Sequence, residues 1–147
     1  MNKFLQKKLK NLNIVIATHV FADGPALFLE EYLRSRVNSL MFIGHPFAGK
    51  KDATSFYRYY LNEKTLEHKA KVWKLLPMLI HFKDALYTFW WIIKLRKKFD
   101  IYIGSDNFTA YMGLILKNLG YVEDVILYTI DFVPKRFESP ILNFAYH

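Results

Sequence analysis

Two acidic residues stand directly after short apolar runs in the last third of the chain, where carboxylates can hold a ligand rich in hydroxyl groups. Asp106 and its neighbour Asn107 follow the run that ends at Gly104, and Asp131 follows the run that begins at Val125. A helical pattern separates the two runs, which predicts a strand–helix–strand unit. Ligands of open parallel sheets bind at the carboxyl ends of the strands. Asp106, Asn107 and Asp131 are therefore predicted to lie at the carboxyl ends of strands, where such sheets bind ligands.

The loop after Asp131 carries two cations behind a proline. Lys135 and Arg136 follow Pro134, and a guanidinium is suited to bidentate contacts with carboxylate or phosphate. One interpretation places Arg136 on the ligand. The other is an ion pair between Asp131 and Arg136 that only holds the loop in place.

A further candidate turn contains His19, Asp23 and Gly24, followed by Pro25. Backbone N–H groups at the start of a helix attract phosphate, but this turn lacks the glycine fingerprint of a dinucleotide site. Asp23 can instead serve as the helix cap, as Asp106 or Ser105 can for the later helix. His19 and Asp23 are two ligand groups without a third nearby in the sequence, so no metal site is predicted.

The elements that must position these residues follow from hydrophobic periodicity. Strands are predicted at residues 13–18 and 39–44 and near Asp100 and Val125, with helices opening at Pro25 and spanning 78–98 and 108–119. Segments 55–61 and 65–73 predict a hairpin inserted into the alternation, although 67–74 can equally be helical. The pattern indicates an α/β fold: an open, mainly parallel sheet with helices on both faces.

The helix at 78–98 presents an apolar stripe and a basic end. The stripe, predicted to be buried, consists of Met78, Phe82, Leu86, Phe89 and Ile93. Two aromatic residues and four cations near its end predict a membrane-facing patch, because aromatic belts beside cations are typical of membrane surfaces. The alternative is a core position for the tryptophans, with cations that complement the helix dipole. The patch residues are Trp90, Trp91, Lys94, Arg96, Lys97 and Lys98.

Composition limits the class of protein. The 147 residues are enough for one domain, and 21 Lys and Arg against 13 Asp and Glu give a net charge of +8. This surplus favours anionic partners such as phosphates or an acidic bilayer, whereas nucleic acid is disfavoured because no binding motif is present. The absence of cysteine excludes disulfides and thiolate metal sites. We expect a cytoplasmic protein, placed at the inner face of the membrane if the patch binds lipid.

Three segments resemble a known family. They are residues 42–47 (FIGHPF), 100–104 (DIYIG) and 128–137 (YTIDFVPKRF), the last followed by Asn143, Tyr146 and His147. Over nearly its whole length the chain resembles the amino-terminal half of a GT-B glycosyltransferase of the family 4-like kind. It departs from that family at its first turn, which often holds paired glycines and here has only Gly24.

The resemblance implies a single Rossmann-like domain over residues 1–147 that shapes the acceptor side of a cleft. It implies a glycan or lipid acceptor, and a nucleotide-sugar donor held by a carboxyl-terminal half that this sequence lacks and that a separate chain can supply. No cofactor is expected in this chain, no transfer activity is expected from it alone, and no catalytic base is assigned. The alternative function is a non-catalytic binding or scaffold module at a membrane. The residues implied to face the cleft are His19, Asp23, Gly24, Asp106, Asn107, Asp131 and Arg136.

Overall fold

The computed structural model describes residues 8–20, 24–46, 54–62, 64–71 and 77–128. These form an α/β fold, as the sequence predicts, with a six-stranded mixed sheet and three helices. The strands and helices are β1 (Asn13–Val20), α1 (Pro25–Leu33), β2 (Ser39–Pro46), β3 (Phe56–Leu61), β4 (Lys64–Lys69), α2 (Pro77–Lys94), β5 (Phe99–Gly104), α3 (Asn107–Asn118) and β6 (Val122–Leu127).

The sheet has the order β4-β3-β2-β1-β5-β6. Strands β2, β1, β5 and β6 pair in parallel, and β3 and β4 extend the β2 side as an antiparallel hairpin, which confirms the predicted insertion. The chain leaves β1 toward β2 and later returns to place β5 on the other side of β1. This reversal is a topological switch point, and it leaves a crevice between the carboxyl ends of β1 and β5.

Polar contacts hold the pairing of β1 and β5 at both ends. At the amino end, the backbone N–H and the side-chain amide of Asn13 donate to Asp100 Oδ2 at 2.6 and 3.1 Å. At the carboxyl end, the Ser105 hydroxyl donates to Thr18 Oγ1 at 2.6 Å. The register that brings Gly104 opposite Ala17 is therefore held from two sides.

Alternation along β1 assigns its residues to two cores. Ile14 and Ile16 pack on the face covered by α1, whereas Val15 and Ala17 pack on the face covered by α2 and α3. Helices thus lie on both faces, as predicted. Because successive side chains of a strand point to opposite faces, His19 falls on the same face as Val15 and Ala17, beneath α2.

Helix α2 turns a face inward that the sequence did not predict. The stripe predicted to be buried is largely exposed: Phe82 is 63 % exposed, and Leu86 and Ile93 are also exposed. Phe89 is partly buried and packs against the core. The Met78 side chain lies outside the described residues. The buried face instead contains polar residues, because histidines on the sheet and a serine just before β3 offer them partners. Its members are Lys83, Asp84, Thr88, Trp91 and Ile92.

The membrane-facing prediction is wrong for Trp91. Trp90 is 61 % exposed, but Trp91 is 3 % exposed and its ring packs on Tyr57 and Tyr87 at centroid distances of 5.2 and 5.0 Å. Adjacent helical residues point about 100° apart, so they cannot both face the same surface. Lys97 also reaches back into the fold.

The Lys97 ammonium donates to Ser39 Oγ at 3.1 Å and to the Tyr59 hydroxyl at 3.3 Å. Lys94, Arg96 and Lys98 remain exposed. The solvent-facing part of the predicted patch is therefore Trp90 with these three cations.

Helix α3 starts directly above the end of β5. Asp106 is its N-cap, as predicted: Oδ1 accepts from the Thr109 backbone N–H at 2.8 Å, and Thr109 Oγ1 accepts from the Asp106 N–H at 3.2 Å. Gly104 allows the close approach, since a Cβ there would lie 2.4 Å from the backbone nitrogen of Ala110. The helix ends as predicted before Gly120, whose φ of 78° is left-handed.

Replacement of Gly104 by alanine should destabilise the fold by about 3 kcal/mol, near the upper end of overpacking costs, because the obstructing atoms are backbone. Urea unfolding measures the change. The comparison is Gly120→Asn, where the added side chain meets open space and asparagine tolerates the left-handed backbone. Equal stability of Gly104→Ala and the wild type would contradict the close packing of α3 on β5.

Candidate functional site

The carboxyl ends of β1 and β5 bring His19 between two carboxylates. His19 Nδ1 lies 2.9 Å from Asp106 Oδ2, and His19 Nε2 lies 3.8 Å from Asp84 Oδ2. Asp106 comes from the start of α3 and Asp84 from the buried face of α2. Three elements distant in sequence thus meet at the topological switch point.

The carboxylates determine the charge of His19. Burial on its own lowers the pKa of this imidazole, but the hydrogen bond with Asp106 and the negative charges of Asp106 and Asp84 outweigh that effect and raise the pKa to about 9. Burial likewise favours neutral carboxyls, yet contacts with His19 and with other donors lower the pKa of both Asp84 and Asp106. At neutral pH, the cluster contains an imidazolium between two carboxylates.

The gap between His19 and Asp84 contains the least satisfied polar atoms of the cluster. His19 Nε2 and Asp84 Oδ2 are both buried and have no hydrogen-bond partner among the described residues. Their separation of 3.8 Å is too long for a direct hydrogen bond. Buried polar atoms are nearly always paired. A small ligand bound in this gap would therefore give both atoms the partner that they lack.

A second layer of polar residues supports Asp84 from below. Ser55 donates to Asp84 Oδ1 at 2.9 Å and lies 3.0 Å from His45 Nδ1, while His45 Nε2 lies 2.8 Å from the Thr88 hydroxyl. Burial lowers the pKa of His45, which is therefore neutral. Because Ser55 gives its proton to the carboxylate, His45 donates through Nδ1 and accepts at Nε2. The network orients Asp84 from the sheet side.

Lys83 contributes a charge to the same carboxylate. Its ammonium lies 2.9 Å from Asp84 Oδ1, and the residue is 8 % exposed. Asp84, with no exposed surface, therefore has two cationic neighbours, His19 and Lys83. A buried carboxylate with this many donors is held in one orientation.

The outer wall of the cluster is aromatic. The His81 ring lies 5.7 Å from the His19 ring, and Phe108 packs edge-on against His81 at 5.4 Å. His81 is exposed and stands one helical turn before Asp84 on α2. Ligand atoms of His19, His81 and Asp84 all lie within 4.8 Å of one another.

The structure places four of the seven residues implied to face a cleft. His19, Asp106 and Asn107 gather at the carboxyl edge, whereas Gly24 is the N-cap of α1 and provides no side chain. Asp23, Asp131 and Arg136 lie outside the described residues.

Sequence reasoning missed the inner half of the cluster, although a signal was present. His19 continues the alternation of Val15 and Ala17, and His45 likewise continues that of Met41 and Ile43. The register pairs His19 with His45 directly. Polar residues at 81, 84 and 88 of α2 follow helical spacing, so they form one polar stripe that faces these histidines.

Three of the predicted membrane-facing residues, Arg96, Lys97 and Lys98, stand just before β5, at the amino end of that strand. A groove of about 460 Å³ there is lined in part by Arg96, Lys97 and Lys98. Exposed apolar residues continue along α2, at Leu79, Phe82, Leu86, Trp90 and Ile93.

Within the described ranges, no helix has the length and apolar character needed to cross a membrane. Comparison with known proteins assigns no family, because no family model, no curated protein and no solved structure matches the chain.

Proposed function

We propose that the chain is the acceptor-side domain of a GT-B-type glycosyltransferase, which binds a glycan or lipid-linked acceptor and requires a separate donor-binding domain for sugar transfer. The parallel strands around β1, with helices on both faces, are consistent with a Rossmann-like half of such an enzyme. Since a fold supports many functions, the proposal depends on the site.

The observation that carries the proposal is the position of Asp106 at the switch point. Its side chain is 36 % exposed, while Thr109 and His19 hold its two oxygens from behind. A carboxylate has about four lone-pair positions, so Asp106 can accept further hydrogen bonds from ligand hydroxyls. The hydroxyl groups of an acceptor bound at this edge would donate hydrogen bonds to a carboxylate whose orientation is already fixed.

The exposed stripe of α2 supports a membrane surface as a second partner. Trp90 and the exposed cations Lys94, Arg96 and Lys98 combine an aromatic anchor with charges that attract an anionic bilayer. A lipid-linked acceptor would be available at such a surface. The same stripe favours the alternative function, a non-catalytic scaffold module at a membrane, because that role needs the surface but not the Asp106 site.

Binding of simple glycosides to the isolated chain tests the acceptor role. Methyl and octyl glycosides are titrated into the protein in the presence of a chelator, and chemical shifts of the Asp106 amide and the His19 ring are followed by NMR. We expect at least one glycoside to shift both signals, and UDP-glucose to leave them unchanged because the donor belongs to the other domain. The isolated chain should show no multiple-turnover transfer, since one half positions only part of the reacting groups.

Asp106→Asn is the informative variant because asparagine preserves the N-cap while removing the charge. Loss of hydrogen bonds to a charged group should weaken glycoside binding by about tenfold or more. The matched control is Asp124→Asn, the same change at a carboxylate on β6 whose side chain is 77 % exposed. Absence of glycoside binding, equal binding by both variants, or UDP-glucose binding at Asp106 would contradict the acceptor role.

A further inference from the structure

The gap between His19 and Asp84 has the chemistry of a cation site. Two ligand atoms, His19 Nε2 and Asp84 Oδ2, face each other at 3.8 Å without hydrogen-bond partners among the described residues. The Asp84 side chain is wholly buried, so its unpaired oxygen points into the protein and not into solvent. Asp84 Oδ2 therefore offers free lone pairs, and His19 Nε2 offers one once a bound metal ion displaces its proton.

His81 provides a third ligand from the solvent side. Its nitrogen, His19 Nε2 and Asp84 Oδ2 all lie within 4.8 Å of one another. Bonds of about 2.0–2.1 Å in a tetrahedral zinc site place ligand atoms about 3.4 Å apart. The exposed His81 ring would therefore need to move inward by roughly 1 Å, which a solvent-facing side chain can do without displacing the core.

The other nitrogen of His19 is already oriented as it would be in a metal site. Metal-binding histidines usually donate their second ring N–H to a carboxylate, which fixes the ring and raises the basicity of the ligating nitrogen. His19 Nδ1 meets Asp106 Oδ2 at 2.9 Å. Asp84 is oriented in the same way by Ser55 and Lys83 through its other oxygen, Oδ1.

We propose that His19 Nε2, Asp84 Oδ2 and a ring nitrogen of His81 bind one divalent transition-metal ion of the Zn²⁺ type, with a fourth position open to water or a ligand oxygen. Two imidazoles and one carboxylate suit zinc and its neighbours better than calcium or magnesium, which prefer oxygen ligands. The sequence predicted no metal site because His19 and Asp23 had no third ligand group nearby in the sequence. The fold brings His81 and Asp84 of α2 next to His19. The inference does not rest on the glycosyltransferase proposal, since it concerns the ion alone.

Cobalt(II) is the probe, because a four-coordinate Co²⁺ site gives visible absorption bands that report geometry and occupancy together. The full chain without an affinity tag is titrated with Co²⁺ at neutral pH, and Zn²⁺ is then added in competition. We expect saturation at one ion per chain, intense visible bands, and loss of those bands as Zn²⁺ replaces Co²⁺. No carbohydrate is present, so this outcome is independent of acceptor binding.

Three variants separate this site from general histidine binding. His81→Ala removes an exposed ligand and should weaken Co²⁺ binding by more than about 100-fold. Asp106→Asn changes the carboxylate that orients His19 and not a ligand, so its expected loss is smaller, about 10- to 100-fold. His68→Ala, at an exposed histidine on β4, is the matched control and should bind as the wild type does.

Circular dichroism establishes that each variant is folded. Failure of the wild type to bind Co²⁺, binding by His81→Ala equal to that of the wild type, or equal losses in His81→Ala and His68→Ala would each overturn the proposed site.

Discussion

Replacing Asp84 with alanine should lower the free energy of unfolding by about 3–5 kcal/mol, because removal of one partner from a buried ion pair leaves charge without compensation. The carboxylate lies 2.9 Å from the Lys83 ammonium and 3.8 Å from His19 Nε2, and none of its side chain is exposed. Its loss would also leave the Ser55 hydroxyl without its acceptor. Urea unfolding in the presence of a chelator measures this effect without any contribution from bound metal.

Asp124→Ala is the matched control for Asp84→Ala. Asp124 also pairs with a lysine, since Lys117 Nζ lies 3.1 Å from its Oδ1, but its side chain is 77 % exposed. Exposed ion pairs contribute about 0–1 kcal/mol, so the control should be nearly as stable as the wild type. Equal effects of the two substitutions would show that Asp84 is not the buried centre of an ion cluster.

The neighbouring tryptophans of α2 should respond to alanine substitution in opposite ways. Trp91→Ala should cost about 3–5 kcal/mol of stability, because the indole fills the core against Tyr57, Tyr87 and His45. Trp90→Ala should change stability by no more than about 0.5 kcal/mol, as is usual for exposed residues. It should nevertheless weaken binding to vesicles that contain an anionic phospholipid.

Thermal or urea unfolding measures the first effect, and co-sedimentation with anionic and neutral vesicles measures the second. Phe28→Ala is the control for the vesicle experiment, because Phe28 is 70 % exposed on α1, across the sheet from α2. Vesicle binding by Trp90→Ala equal to that of the wild type would remove the aromatic anchor. Unchanged stability of Trp91→Ala would contradict its core position.

Strong local signals explain which parts of the fold could be predicted from the sequence. The β-branched run of β1, proline at the start of α1 and the Asp106 cap each have a single favoured local structure. The succession of strands and helices along the chain followed from the same alternation, because each buried run is separated from the next by a helix or a hairpin. The order of the strands within the sheet was not predicted, since it depends on contacts between distant segments.

The orientation of α2 could not be predicted because it depends on partners from elsewhere in the chain. Its apolar stripe satisfies the usual rule for a buried face, yet the helix buries Asp84 and Thr88. Those residues find hydrogen-bond partners in His45 and Ser55, on β2 and just before β3. Helical periodicity identifies the two faces of α2, but only the sheet beneath it determines which of them is inside.

The adjacency of β1 and β5 has a consequence for how the chain folds. His19 and Asp106 are 87 positions apart, so they meet only after a long loop has closed, whereas the β3–β4 hairpin needs only near neighbours. Closing a long loop costs entropy before any contact repays it, and pairings of this kind slow folding. During synthesis, β1 cannot pair with β5 until β5 has emerged from the ribosome. We therefore expect the polar cluster, which needs that pairing, to form among the last parts of the described fold.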